Sequence, residues 1–159
     1  MSDSRAKIWI AIARVLTGIL FVRLALPKFN TDYLLGFSRM LNLFAEGNPF
    51  PWYSSFLTNV LMPHQQVAAI ALALLELLVG IALVLGFLSG LACLVGMVLS
   101  VNFMLATSHV AWSASEMLPA VYVAPGFYTL LLLLLLFITR SGKYYSLGSR
   151  LGSSRSFFW

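Results

Sequence analysis

Apolar residues run along this chain in long blocks broken by short polar punctuation. A helix needs about 20 residues to cross the hydrocarbon core of a bilayer. Blocks at 8–27, 66–88, 90–109 and 117–138 reach that length. The first carries Arg14 and Arg23, and the last holds an unbroken leucine run from Leu130 to Leu136. Only about two residues around Ser89 separate the second block from the third, so these two are expected to form a tight antiparallel hairpin. The pattern predicts an all-α, four-helix transmembrane bundle that makes a single domain over 1–159.

A long loop, 29–63, joins the first two blocks. Within it Leu34, Phe37, Met40, Leu41 and Phe44 recur at helical spacing, with Ser38, Arg39 and Asn42 between them. That suits an amphipathic helix over 33–44, lying on the membrane surface or capping the bundle. Asn48-Pro49-Phe50-Pro51 breaks it, and Trp52-Tyr53 follow as expected interfacial anchors. A further short helix is expected over 54–61, ending near Pro63.

Composition explains why lipid must be the solvent. Sixty per cent of the residues are hydrophobic and 9% charged, whereas a soluble domain is about a quarter charged. A net charge of +5 does not point to nucleic acid, because the basic residues form no phosphate-tracking run. They collect at the chain ends. Arg5 and Lys7 precede the first block, and Arg140, Lys143, Arg150 and Arg155 follow the last; the opposite side carries Lys28 and Arg39. Positive residues favour the cytoplasm, so both termini are expected there. The basic start gives no clean small-x-small cleavage site, so it reads as a retained first helix. The tail over 141–159, rich in Ser, Gly and Arg, is expected to be flexible, with its closing Phe-Phe-Trp at the interface or on a partner subunit. The lone cysteine, Cys93, cannot form an internal disulfide and reads as a small buried residue.

Ionisable groups inside a bilayer are costly and face a bundle interior or a cavity. Counting ~1.5 Å per residue from the cytoplasmic ends of the predicted spans puts Arg14 ~9 Å deep, Glu76 ~17 Å and Asn102 ~18 Å. The expectation is a buried Arg14–Glu76 ion pair, with Asn102 satisfying a remaining hydrogen bond. Such a pair either fixes helix register or takes part in proton or ligand chemistry. Ala69, Ala73 and Gly80 lie on one stripe with Glu76, and Ala92, Gly96 and Ser100 form a second small-residue seam, so neighbouring helices can approach closely at both. Arg23 faces away from Arg14 and is expected to snorkel to headgroups. His64 and His109 fall at the same outer interface. Two histidines are too few for a protein-only catalytic metal site, so no metal is expected. They read first as ordinary interfacial residues; as axial ligands to a haem or a chlorin they are also chemically acceptable.

The motifs, in order, resemble those of the DoxX/DoxD family of four-helix membrane proteins, which includes the small subunit of thiosulfate:quinone oxidoreductase. The matching residues are Arg14-x-x-x-Gly18-x-x-Phe21 with Pro27-Lys28-Phe29, then Glu76-x-x-x-Gly80-x-x-Leu83-x-x-Gly86, then Asn102-Phe103. The last is 140–147, Arg-Ser-Gly-Lys-Tyr-Tyr-Ser-Leu. Arg23 stands where a small residue is usual, and Gly148 where the family has Asp. The resemblance implies a multi-pass protein of a bacterial or archaeal plasma membrane, associated with a quinone-linked and thiosulfate-oxidising redox complex and with other membrane or peripheral redox subunits. Quinone is then the expected cofactor, with Arg14, Glu76 and Asn102 as the candidate layer that hydrogen-bonds its oxygens or relays protons. A non-catalytic accessory subunit of a larger respiratory or photosynthetic complex is the alternative, and a small oligomeric transporter a third.

Overall fold

The computed structural model describes residues 2–113 and 125–145, with side chains over 4–108 and 125–145. All regular structure there is helical. Helix α1 is Ser2–Ala25, α2 Thr31–Ala45, α3 Pro51–Phe56, α4 Gln65–Leu85, α5 Ser89–Ser113 and α6 Pro125–Ile138. Three helical runs are long and apolar enough to cross a membrane, Ser4–Phe29, Pro51–Leu85 and Ser89–Ser108. The described part of the expected fourth block is the 14-residue α6; residues 117–124 of that block lie outside the described residues.

Two small-residue contacts set the bundle. Helix α1 crosses α4 at Gly18 and Gly80, where a Cβ on Gly80 would stand 2.7 Å from the Val22 backbone nitrogen and one on Gly18 2.7 Å from the Gly80 carbonyl oxygen. Only hydrogen atoms fit in that gap, so the two backbones touch as dispersion-driven packing in lipid requires. Helix α5 meets α6 in the same way. Leu133 sits against Gly96, and Gly126 against the Ser100 carbonyl, so the predicted Ala92–Gly96–Ser100 seam is used. Between α4 and α5 the chain turns in three residues: Gly86 takes a left-handed φ of 69° at the end of α4, and its N–H donates to the Leu83 carbonyl.

The connecting segment packs onto the bundle. Pro27 ends α1 in a 3-10 turn, Leu26–Phe29. Asn30 then caps α2 by accepting from the Asp32 N–H. The predicted amphipathic stripe buries Phe37 and Leu41 in one cluster with Ala69 of α4 and Ala106 of α5. Asn48 fastens the far end, its amide donating to the Phe44 and Leu105 carbonyls at 3.0 Å each. From Pro51 a π turn, Leu57–Leu61, and a 3-10 turn, Met62–His64, lead into α4. A second apolar cluster gathers Phe21, Val79, Leu83, Cys93, Leu99 and Leu133. On α4, Glu76 falls between the residues of the two clusters.

The first residues of the expected flexible tail are folded. Arg140 adopts φ 50° and stops α6, and Ser141–Lys143 forms a 3-10 turn with Ser141 and Gly142 buried. The cause is Arg14, which binds this stretch.

Candidate functional site

Arg14 and Glu76 are both about 1% exposed, yet they do not pair. Arg14 lies one turn before Gly18 and Glu76 one turn before Gly80. Because α1 and α4 are antiparallel, the two leave the Gly18–Gly80 crossing in opposite directions and end ~12 Å apart along the bundle. The expected ion pair is corrected on that ground. Its depth count began α1 at Ile8, whereas the crossing sets Arg14 level with the end of α4.

Arg14 binds backbone instead. Its guanidinium donates to the carbonyls of Ser141 (2.7 Å), Tyr144 (2.9 Å) and Tyr145 (3.1 Å). A planar fork with five N–H donors suits several carbonyls at a chain reversal, and a cation there also complements the carbonyl-rich end of α6. Arg14 therefore ties the first helix to residues 141–145.

Glu76 pairs with Lys28, Nζ to Oε1 at 2.5 Å, with the lysine side chain 14% exposed. The 3-10 turn after Pro27 carries Lys28 to the bundle, and its stem covers the remaining distance. The Lys28 ammonium also stands 4.8 Å from the centre of the Phe103 ring and 6.0 Å from that of Tyr33, both within cation–π range. Two buried polar atoms here have no protein partner, Glu76 Oε2 and the Tyr33 hydroxyl. Burial, reinforced by the Glu76 carboxylate, pushes the Tyr33 phenol up to about 12, so it remains a proton donor at neutral pH.

A cavity of about 300 Å³ opens beside the pair, walled by Phe21, Leu99, Phe103, Ser100, Thr107 and Thr129, with Lys28 and Glu76 in its lining. Asn102 is elsewhere. Its Oδ1 accepts from the Tyr53 hydroxyl at 2.9 Å, and the same hydroxyl reaches the Asn102 carbonyl at 3.2 Å. Tyr53, expected as an interfacial anchor, is 2% exposed and serves this bond; Trp52, 61% exposed, keeps the outward position. The predicted layer of Arg14, Glu76 and Asn102 is thus divided among three places.

The family model for DoxX matches residues 9–112. The chain belongs to the DoxX family. The match spans Arg14, Lys28, Glu76 and Asn102 of this DoxX protein, and its long apolar helices make it a membrane protein. Comparison with curated proteins and with solved structures gives no match.

Of the remaining candidates, Arg23 is exposed. His64 is exposed on the 3-10 turn before α4. The His109 side chain lies outside the described residues, so the haem or chlorin reading of the two histidines gains no geometry. Cys93 is fully buried in the core. Lys28 is the site residue that residue-by-residue reading missed. Its signal was its place in Pro27-Lys28-Phe29, directly after a helix break, which it shared with many lysines at span ends.

Proposed function

We propose that this DoxX protein is an integral subunit of a quinone-linked redox complex in the plasma membrane, crossing it four times with both termini in the cytoplasm, and that the Lys28–Glu76 cavity holds the quinone head. The observation that carries this reading is a buried carboxylate oxygen, Glu76 Oε2, left without a protein partner in the wall of an aromatic-lined cavity. Buried polar groups are nearly always bonded, so the vacant bonding capacity is best explained by a polar ligand group. The cavity is of the order that small ligands occupy, roughly 300 Å³ upward.

The residues suit that group. A bound quinone supplies two-electron, two-proton chemistry. Lys28 would donate a hydrogen bond to a ring oxygen, and Glu76 Oε2, an acceptor, would take one from the hydroxyl of the reduced ring and with it the proton that oxidation releases. Phe21 and Phe103 would flank the ring and keep water out, while Ser100, Thr107 and Thr129 offer secondary polar contacts. No electron carrier is built from these side chains, so electrons would come from partner subunits.

Glu76→Gln tests the reading. It keeps shape and an acceptor for Lys28 but removes the charge. The charged bond from the quinol hydroxyl to Glu76 is worth about 1.5–3 kcal/mol, so the reduced quinone that co-purifies anaerobically in mild detergent is expected to fall about tenfold or more. Wild-type protein that carries no quinone, alone or with its partners, overturns the proposal.

A further inference from the structure

A second cavity, about 250 Å³, shares Phe103 with the first. Its lining is almost wholly apolar and comes largely from the connecting segment: Phe37, Met40, Phe44 and Phe56, with Ala68 and Leu72 of α4. Its polar lining residues, Tyr53 and Asn102, are engaged with each other. A space of this kind offers little to a polar ligand and suits a chain without hydrogen-bonding groups. Phe103 lines both cavities, so the two adjoin at this side chain.

We infer that the second cavity receives the apolar tail of the ligand whose head rests on Lys28 and Glu76, so that this protein selects a quinone bearing an isoprenoid-like tail. The inference rests on the proposed quinone site and adds a specificity pocket to it. Two observations favour a tail of the same molecule over a separate lipid: the shared Phe103 wall, and the division of chemistry between a charged cavity and an apolar one. It also gives α2 and α3 a role. Their burial of Phe37, Leu41 and Tyr53, with Leu57 of the following π turn, against α4 and α5 builds the tail pocket from a segment that a bare helical hairpin would omit.

The test compares two quinones with the same ring, one bearing an isoprenoid tail and one bearing a methyl group, titrated against purified full-length protein in one detergent. Two variants fill the second cavity from different elements, Ala68→Phe on α4 and Met40→Trp on α2. Detergent partitioning is common to all three proteins and cancels when tail preference is compared among them. The wild type is expected to prefer the tailed quinone by about tenfold or more over either variant, from the apolar contact that the tail gains. Both variants should bind the tail-less quinone within about twofold of wild type, which also shows that they fold. Equal tail preference in all three proteins overturns this inference and leaves the headgroup site standing. Binding of neither quinone by the wild type overturns both.

Discussion

Arg14 and Lys28 sit on the same first helical run, on opposite sides of the Gly18–Gly80 crossing, and their charges are accommodated in opposite ways. Arg14 makes three bonds to backbone carbonyls that need donors. Lys28 meets one carboxylate oxygen and an aromatic face, and the second carboxylate oxygen remains unbonded beside a cavity. Both cations are costly inside an apolar bundle. At the first, three backbone carbonyls take the guanidinium, Arg14 Nε and the Ser141 hydroxyl stay unbonded, and no carboxylate is involved. At the second, the unbonded atom is a carboxylate oxygen of a residue that lines a cavity, and that combination is the mark of a place where something else binds.

The largest effect that separates the two should come from Arg14→Ala. It removes three charge-assisted bonds and leaves a void where a long side chain was buried, so a loss of about 4 kcal/mol is expected in thermal or denaturant unfolding in detergent. Arg14→Lys should recover less than half, because a point charge on a flexible stem cannot reach three carbonyls at once. Quinone content per folded molecule should not change in either. Should Arg14→Ala be stable but stripped of quinone, Arg14 belongs to the binding site and the two cations do not differ in role.

A smaller loss is expected at the other cation, where the double change should undo the single. Glu76→Ala leaves Lys28 unpaired, at about 3 kcal/mol. Replacing the pair together, Glu76→Leu with Lys28→Met, should bring the cost to about 1 kcal/mol or less, since hydrophobic pairs commonly substitute for buried ion pairs in stability. Ligand binding should be lost in both. A double variant as unstable as the single would mean that the pair holds the bundle as Arg14 does.

Much of this architecture is legible in the chain. Long apolar blocks place the helices, and the stripe of Ala69, Ala73 and Gly80 correctly turns Glu76 inward. The 33–44 periodicity marks α2 to within two residues at its start and one at its end. What fails is the choice of partner. A depth counted along one helix says nothing about the axial offset of its neighbour, and here a single contact, Gly18 on Gly80, sets that offset. The same gap hides Lys28, whose stem reaches inward although its backbone follows the end of α1. It hides Tyr53 too, since Trp-Tyr after a proline break reads as an interfacial pair until the packing of α3 turns one ring in and leaves the other out. Residues 141–145 read as tail because their anchor, Arg14, is 127 or more positions away.

The smallest expected effect lies at Tyr33, and it decides how far the open site extends. Its hydroxyl is buried without a protein partner, which should cost the fold, so Tyr33→Phe is expected to raise stability by about 1 kcal/mol in unfolding measurements. The titration gives an independent check. Because the folded-state phenol is raised from 10.0 to about 12, the unfolded chain ionises first as pH rises. This residue's contribution is therefore full below pH 10 and is lost from there up to about 12. That share of the alkaline loss should be missing in Tyr33→Phe. If the variant is instead less stable, the hydroxyl has a partner in the membrane, a water or a ligand oxygen. Tyr33 would then join Lys28 and Glu76 as part of the unfilled polarity rather than stand beside it.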